Sequence, residues 1–214
     1  MVGRRLKILV ADDHYIVRAG IRAVLEARRR WHVCAEADNG ETAVGLAAEH
    51  QPNIAILDYS LPILNGLGAI RKIREIAPHT AILIYSMHDA DRLIGDVVKA
   101  GARGYVLKSE EESELVAGVD ALARGTFYFS PRVARSILNP SRGRQPPVFQ
   151  TLSPRESEVV QLIAEGYSNK AISLLWGVSV KTVDTHRTAA MRKLNVKSAV
   201  DLTRYAIRNH LIEP

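Results

Sequence analysis

Five short apolar segments rich in valine, isoleucine and leucine alternate with longer segments of helical periodicity over the first 124 residues. This alternation restricts the fold most, because strands that alternate with helices form a parallel sheet with helices on both faces. We therefore predict an α/β domain over residues 1–124, built as a (βα)5 doubly wound parallel sheet. The predicted strands are Lys7–Ala11, Val33–Ala37, Ile54–Leu57, Ala81–Tyr85 and Gly104–Leu107, and the predicted helices are Ile16–Arg29, Glu41–Glu49, Leu67–Ile76, Ala90–Ala100 and Glu112–Ala123.

The rest of the chain follows a different pattern. Residues 139–150 contain three prolines and a glycine without helical periodicity, which predicts an exposed linker within a connecting segment over 125–150. Residues 151–214 predict a small all-α domain of four helices. Its short second helix, turn and longer third helix are typical of a helix-turn-helix. The four predicted helices are Pro154–Glu165, Asn169–Trp176, Val180–Leu194 and Ser198–Asn209.

The charge distribution favours a polyanionic partner for the C-terminal region. The formal net charge is +6, and residues 1–138 contribute only +1 of it, with 18 Lys/Arg against 17 Asp/Glu. Such an excess suits the phosphate backbone of a nucleic acid, although a merely solvated helix face would explain the charges equally well. Between residues 179 and 197 one anion, Asp184, stands against five cations, namely Lys181, Arg187, Arg192, Lys193 and Lys197.

Composition excludes several classes of protein. Cys34 is the only cysteine, so an internal disulfide and a multi-cysteine metal site are excluded. The longest apolar runs are strand-sized and fall well short of the ~20 residues of a membrane helix. The N-terminus lacks the apolar core of a signal peptide. We therefore expect a cytoplasmic protein with no membrane partner.

Polar residues follow four of the predicted strands. Asp12 and Asp13 come directly after the first strand, Asp58 after the third, Ser86 after the fourth and Lys108 after the fifth. In an open parallel sheet, ligands collect beyond the carboxyl ends of the strands, so we expect these side chains to meet. Three carboxylates would repel one another without a hard cation, and Mg²⁺ is the natural candidate. Lys108 and Ser86 would then suit a transferred phosphoryl group.

Each of these residues also has an ordinary structural explanation. Asp12 or Asp13 could cap the helix that follows, and Asp58 could begin a turn. Ser86 could be a hydroxyl at a strand end, and Lys108 could be a solvated surface lysine. Their occurrence in register at the ends of several βα units favours one shared site.

Residues 6–124 resemble the receiver domain of two-component response regulators. The resemblance implies that Asp58 accepts a phosphoryl group from a sensor histidine kinase. It also implies that Asp12, Asp13, Asp58 and the backbone carbonyl of Ser60 bind Mg²⁺, with Asp12 acting largely through water. The segments that carry the resemblance are Leu9-Val10-Ala11-Asp12-Asp13-His14, Asp58-Tyr59-Ser60-Leu61-Pro62, Tyr85-Ser86-Met87-His88 and Gly104-Tyr105-Val106-Leu107-Lys108.

The same resemblance gives roles to neighbouring residues. Ser86 and Tyr105 would form a switch pair, in which the hydroxyl moves towards the phosphate while the aromatic ring changes its exposure. Ser60 and His88 would flank the path of the water that hydrolyses the aspartyl phosphate, and would act on its rate in opposite directions. Many receivers place a proline with a cis peptide after the lysine, whereas Ser109 follows here, so the geometry of that bond is open.

Residues 151–214 closely resemble the LuxR-type DNA-binding domain, which places nearly the whole chain in the NarL/FixJ subfamily of response regulators. The matching segments are Leu152-Ser153-Pro154-Arg155-Glu156, Ala164-Glu165-Gly166-Tyr167-Ser168-Asn169-Lys170 and Val180-Lys181-Thr182-Val183-Asp184-Thr185-His186-Arg187. By resemblance, Val180–Leu194 is the recognition helix, Asn169–Trp176 supports it, and Ser198–Asn209 pairs two domains on DNA. The predicted groove-facing residues are Asp184, Thr185 and Thr188, those nearer phosphates are Lys181, His186, Arg187, Arg192 and Lys193, and those of the dimer surface are Val200, Leu202 and Tyr205.

Two residues of this domain keep two interpretations. Asp184 lies on a surface that meets a polyanion, so it must either accept a hydrogen bond from a cytosine amino group or orient a neighbouring cation. The second is slightly favoured. Trp176 falls on the apolar face of its helix, which favours a place in the core over a role as a stacking platform for nucleic acid.

We expect a phosphorylation-controlled transcriptional regulator, with a sensor histidine kinase and promoter DNA as partners and a homodimer when phosphorylated or on DNA. RNA polymerase stays open as a further partner. Catalysis would be confined to the protein's own phosphorylation and dephosphorylation. An aspartyl-phosphate hydrolase is the alternative, but no second carboxylate follows Asp58 at the haloacid dehalogenase spacing, and no P-loop, HExxH or GxSxG occurs. A receiver that is never phosphorylated is the third possibility, which Mg²⁺ titration would test.

Overall fold

The computed structural model of the protein describes residues 5–138 and 152–212. The chain divides into two compact units, an N-terminal α/β unit and a C-terminal helical unit, and each is described by itself. The predicted linker, residues 139–150, lies outside the described residues. No helix in the described part of the chain is long and apolar enough to cross a membrane.

The α/β unit contains a parallel sheet with the strand order β2-β1-β3-β4-β5-β6. Helices separate the strands along the chain, so the predicted α/β fold is confirmed. The strand order reverses between β1 and β3, and a crevice forms at such a point beyond the carboxyl ends of the strands. The strands are β1 Leu6–Ala11, β2 Trp31–Ala37, β3 Ile54–Leu57, β4 Ala81–Ser86, β5 Gly104–Leu107 and β6 Tyr128–Phe129, and the helices are α1 Tyr15–Glu26, α2 Gly40–His50, α3 Gly66–Ile76, α4 Asp91–Ala100, α5 Glu112–Ala123 and α6 Pro131–Leu138.

The central strands are apolar because helices cover both of their faces. All four residues of β3 are buried, as are those of β5. A strand buried on both faces has no solvent side, so its sequence reads as a continuous apolar run without alternation. The core of the unit lies along these strands and includes Ile8, Ile56, Leu83 and Val106.

Two parts of the α/β unit differ from the sequence prediction. The sheet continues past residue 124, because β6 pairs with β5 through Gly104 and Tyr105, and α6 follows it within the predicted connecting segment. A two-residue strand is too short to show a period, which explains why it was missed. Helix α1 ends at Glu26, three residues before the predicted Arg29.

The helical unit contains four helices in its described residues, and each of them begins at a serine whose hydroxyl accepts from the backbone of the first turn. Ser153 and Glu156 form a capping box at the start of the first of these helices. Gly177 ends the second helix in the left-handed conformation, with a φ of 65°. The helices are α7 Pro154–Ala164, α8 Asn169–Trp176, α9 Val180–Leu194 and α10 Ala199–Arg208, around a core that includes Val159, Leu162, Ile172, Val183 and Leu202.

Candidate functional site

The crevice of the α/β unit brings three charged side chains together. Asp12 follows β1, Asp58 follows β3 and Lys108 follows β5. The Nζ atom of Lys108 lies 2.6 Å from Oδ2 of Asp12 and 2.6 Å from Oδ2 of Asp58. Asp12 is 1% exposed and Asp58 is 5% exposed. An ammonium therefore bridges two buried carboxylates, as the positions of these residues at one sheet edge predicted.

Burial and charge oppose each other in this cluster. Burial raises the pKa of Asp12, and the nearby Lys108 ammonium offsets this only in part. Burial alone would lower the pKa of Lys108, but the carboxylates of Asp58 and Asp12 outweigh it and raise that pKa. Lys108 is therefore held as a cation between the two acids.

The backbone around Asp58 fixes its carboxylate. The N–H of Tyr59 donates to Oδ1 of Asp58 at 2.6 Å, while Oδ2 accepts from Lys108. A Cβ at Gly66, the first residue of α3, would lie 2.6 Å from the carbonyl oxygen of Asp58. Glycine is required there because α3 starts directly against the strand end that carries the acid.

The donor set beside Asp58 fits a hard cation. One ligand atom each from Asp12, Asp13 and His14 lies within 4.8 Å of the others. Oδ2 of Asp12 is buried and lies 2.6 Å from the Lys108 ammonium. Carboxylate oxygens are the ligands that Mg²⁺ prefers. His14 was not predicted; its Nδ1 lies 2.8 Å from Oδ1 of Asp13, and its place next to the two aspartates was the available signal.

The predicted switch residues lie beside the crevice and both contact the backbone of His88. Ser86 and Tyr105 are fully buried. The Tyr105 hydroxyl donates to the carbonyl oxygen of His88 at 2.6 Å, and the N–H of His88 lies 3.4 Å from the Ser86 hydroxyl. Burial raises the pKa of Tyr105 far above its ordinary value, and a hydrogen bond with Ser86 offsets only part of this. The ring is thus a neutral, buried phenol.

Ser60 and His88 form one hydrogen-bonded pair. Oγ of Ser60 lies 2.7 Å from Nε2 of His88, and the His88 ring stands edge-on to Tyr59 with 5.9 Å between ring centroids. The sequence predicted two separate residues with opposite effects, whereas this contact joins them. The described backbone contains no cis peptide bond, so the bond between Lys108 and Ser109 is trans.

In the helical unit, α9 presents a continuous exposed stripe. Lys181, Thr185, Thr188 and Arg192 are exposed, on the side of the helix opposite the buried Val183, Ala190 and Leu194. These four residues follow the spacing of one helix face. The stripe carries two of the predicted groove residues between two of the predicted phosphate cations.

Three other polar residues of α9 have partners inside the unit. Asp184 accepts from the Asn169 amide at 3.2 Å, and the amide oxygen of Asn169 accepts from Arg187 at 3.2 Å. His186 stands edge-on to Trp176 with 6.1 Å between ring centroids. Trp176 packs against the core, as its apolar face predicted.

Two of the predicted contact residues interact within their own unit. Lys193 was predicted near phosphates, but its ammonium pairs at 2.7 Å with Glu156 of the capping box, which is 6% exposed. Leu202 was predicted on the dimer surface, but it is fully buried in the core of its own unit. Tyr205 is half-buried and packs against that core. Val200 is 60% exposed, and it is the predicted dimer residue that remains accessible.

Comparison with protein families agrees with the two units. Residues 8–120 match the response regulator receiver domain. Residues 150–206 match the luxR family of bacterial regulatory proteins. The oxygen regulatory protein NreC of Staphylococcus carnosus is 38% identical and aligns over 97% of this chain and 100% of its own length. NreC of Staphylococcus epidermidis is 39% identical over the same shares of the two chains.

Solved structures of two proteins are similar to this chain. RcsB from Salmonella enterica serovar Typhimurium, bound to promoter P1flhDC in the presence of the phosphomimetic BeF3⁻, is 28% identical with a TM-score of 0.61, covering 94% of this chain and 98% of that one. A LuxR-family two-component response regulator from Aurantimonas sp. SI85-9A1 is 37% identical with a TM-score of 0.61, covering 63% of this chain and 96% of that one.

Proposed function

Because the chain belongs to the two-component response regulators of the NarL/FixJ type, in which a receiver domain precedes a LuxR-type DNA-binding domain, we propose that Asp58 is its phosphoacceptor. The chain is a phosphorylation-dependent transcription regulator. One observation carries the assignment of Asp58: the Lys108 ammonium lies 2.6 Å from a carboxylate oxygen of Asp58 in a buried crevice.

The proposed step transfers a phosphoryl group from a phosphohistidine of a sensor histidine kinase. A carboxylate oxygen of Asp58 attacks the phosphorus; the new O–P bond forms as the N–P bond breaks, and the electron pair of the broken bond stays on the imidazole nitrogen. The product is an aspartyl phosphate, whose hydrolysis returns the carboxylate and inorganic phosphate. Lys108 pairs with the phosphoryl oxygens, since its ammonium already contacts Asp58, and the Ser86 hydroxyl donates to another of them.

A divalent cation completes this pocket. Receiver domains generally bind Mg²⁺ at an acidic pocket, and Asp12 and Asp13 supply one here. We assign Asp12, Asp13, Asp58 and the carbonyl of Ser60 as the residues that would hold it. The ion would neutralise the charge of the transferred group. Lys108 then keeps the two buried carboxylates from repelling each other before the ion binds.

The response of the α/β unit would start at Ser86. A hydroxyl that turns towards the phosphate gives up its contact with the backbone N–H of His88. Tyr105 would then move relative to His88, to which its own hydroxyl is bonded. The switch pair therefore changes the loop that follows β4.

The helical unit would bind double-stranded promoter DNA through α9. Thr185 and Thr188 lie in the middle of the exposed stripe and would face the major groove. Lys181 and Arg192, at its two ends, would contact phosphates, together with the half-buried Arg187 and His186. A homodimer formed on DNA or after phosphorylation would use the exposed face of α10 around Val200. RNA polymerase is a further proposed partner.

Asp58→Asn tests the central assignment. The parent protein, treated with acetyl phosphate and Mg²⁺, should gain the mass of one phosphoryl group, and the variant should gain none because an amide oxygen is a poor nucleophile. Asp38→Asn is the matched control, since Asp38 is exposed and follows β2. A full mass gain in Asp58→Asn contradicts the assignment. If Asp38→Asn also loses the mass gain, phosphorylation does not depend on Asp58 alone.

Mg²⁺ binding tests whether this receiver domain is phosphorylated or is an interaction module that is never phosphorylated. Titration of the parent with Mg²⁺ alone should give saturable binding, and Asp13→Asn should weaken it because one carboxylate ligand is lost. Binding that survives this change would place the ion elsewhere.

A further inference from the structure

Asn169 connects the supporting helix to the recognition helix. It is the first residue of α8, and its side chain reaches two residues of α9. Its Nδ2 donates to Oδ1 of Asp184 at 3.2 Å, and its Oδ1 accepts from Nη1 of Arg187 at 3.2 Å. One amide thus joins an anion and a cation that lie three residues apart on α9.

The chemistry of the two partners determines the orientation of this amide. A guanidinium can only donate hydrogen bonds, and an ionised carboxylate can only accept them. The amide NH₂ must therefore point at Asp184 and the amide oxygen at Arg187. A leucine at position 169 would satisfy neither partner, and an aspartate would place a second carboxylate against the first.

The second oxygen of Asp184 is available to a ligand. Asp184 is exposed, and its Oδ2 has no hydrogen-bond partner among the described residues, while Oδ1 is held by Asn169. The residue stands one position before Thr185 of the exposed stripe. A carboxylate that approaches DNA is repelled by phosphates, and in the major groove it is accepted only opposite an amino group of a base.

We infer that Asn169 is a positioning residue for base recognition: it fixes Asp184 so that the free carboxylate oxygen accepts a hydrogen bond from a base amino group in the major groove. The amino group belongs to cytosine or adenine. Arg187 takes part by holding the other end of the amide. This inference rests on the proposed DNA-binding function. It names a residue outside the exposed stripe that determines which base α9 selects.

In vitro selection from a random duplex library, with the full-length protein treated with acetyl phosphate and Mg²⁺, tests the inference. At one position of each half-site the parent should prefer a base with a major-groove amino group, and Asp184→Ala should lose that preference. Anisotropy titrations then compare the selected duplex with one changed at that base pair. The parent should discriminate by roughly tenfold.

Asn169→Ala should reduce this discrimination to about twofold or less while it leaves affinity for the changed duplex within a factor of two. Asn169→Asp should do the same, because the new carboxylate repels Asp184. Ser173→Ala is the matched control: it removes a side-chain hydrogen bond of the same helix, to the carbonyl of Lys170, and should retain the tenfold discrimination.

Several results would overturn the inference. Asn169→Ala could keep the discrimination, or it could lower affinity for both duplexes equally, as a purely structural residue would. The inference is also contradicted if Asp184→Ala selects the same DNA sequence as the parent, with the same base preference. A parent protein that enriches no sequence contradicts the proposed DNA-binding function itself and the inference with it, so the two failures are distinguishable.

Discussion

Lys193→Met should destabilise the helical unit and leave the electrostatic part of DNA binding unchanged. Oε2 of Glu156 accepts from Nζ of Lys193 at 2.7 Å and from the N–H of Ser153 at 2.6 Å. Removing one partner of a buried ion pair costs about 3–5 kcal/mol. Lys193 keeps some contact with water, and Ser153 remains as a donor, so we expect the lower figure of about 1–3 kcal/mol. Methionine retains the packing of the lysine stem.

The destabilisation should depend on pH through Glu156. Burial alone would raise its pKa, but the hydrogen bonds from Lys193 and Ser153 outweigh it and lower the pKa below the ordinary 4.5. A carboxyl with a lowered folded-state pKa contributes stability that is present above its unfolded pKa and is lost as the pH falls through the folded value. The difference in the free energy of unfolding between the parent and Lys193→Met should therefore be largest at neutral pH and should shrink below about pH 4.5.

The assay uses the distribution of tryptophans. The chain has two, Trp31 in β2 and Trp176 in α8, so in a Trp31→Phe background Trp176 fluorescence reports urea unfolding of the helical unit. Lys197→Met, at an exposed lysine, is the stability control and should leave the midpoint unchanged. Lys181→Ala is the DNA control and should reduce the slope of log affinity against log salt by about one unit. A Lys193→Met protein with the parental urea midpoint and a reduced slope of log affinity against log salt would refute the structural role of Lys193. It would support a phosphate contact by Lys193 instead.

Two further predictions concern the phosphoryl lifetime and the dimer. Ser60→Ala and His88→Ala should each shorten the half-life of the phosphorylated protein in Mg²⁺, by up to about tenfold for a barrier change of ~1.4 kcal/mol. Because both changes remove the same hydrogen bond, the double variant should match the larger of the two single effects. Additive effects on the half-life would contradict the pairing. Val200→Glu should leave the unfolding midpoint intact and abolish cooperative occupation of two half-sites, whereas Leu202→Ala should cost about 2–5 kcal/mol of stability; the reverse pattern would exchange their roles.

The charged crevice could be predicted because strand direction determines it. In a parallel sheet the carboxyl ends of all strands lie at one edge, so residues directly after the apolar runs share that edge wherever the helices lie. To place Asp12, Asp58 and Lys108 together, the sequence had only to predict where the strands end. The predicted strand ends are accurate to within one residue. The contact between Ser60 and His88 could not be predicted, since it depends on how two loops fold against each other.

The partners of the α9 side chains could not be predicted from the sequence. Arg192 and Lys193 are adjacent cations of the same helix, but a step of one residue turns the side chain by about 100° around the axis. Arg192 therefore faces solvent, and Lys193 faces Glu156, which belongs to α7. Helical periodicity separates polar from apolar faces, but it does not show which cation at the margin meets an acid of a helix far away in the sequence.

Tyr105 shows why the continuation of the sheet past residue 124 matters for function. Its hydroxyl donates to His88 in the loop after β4, and its backbone carbonyl accepts from the N–H of Ser130 at 3.0 Å, directly before α6. The Glu110 carboxylate, two residues beyond Lys108, accepts from the backbone of Arg132 in α6 at 3.3 Å. The predicted connecting segment is therefore bonded to the loop after β5 through Glu110 and, by way of Tyr105, is linked to the loop after β4. A change at Ser86 or Lys108 needs only these contacts to reach the last described helix before the linker.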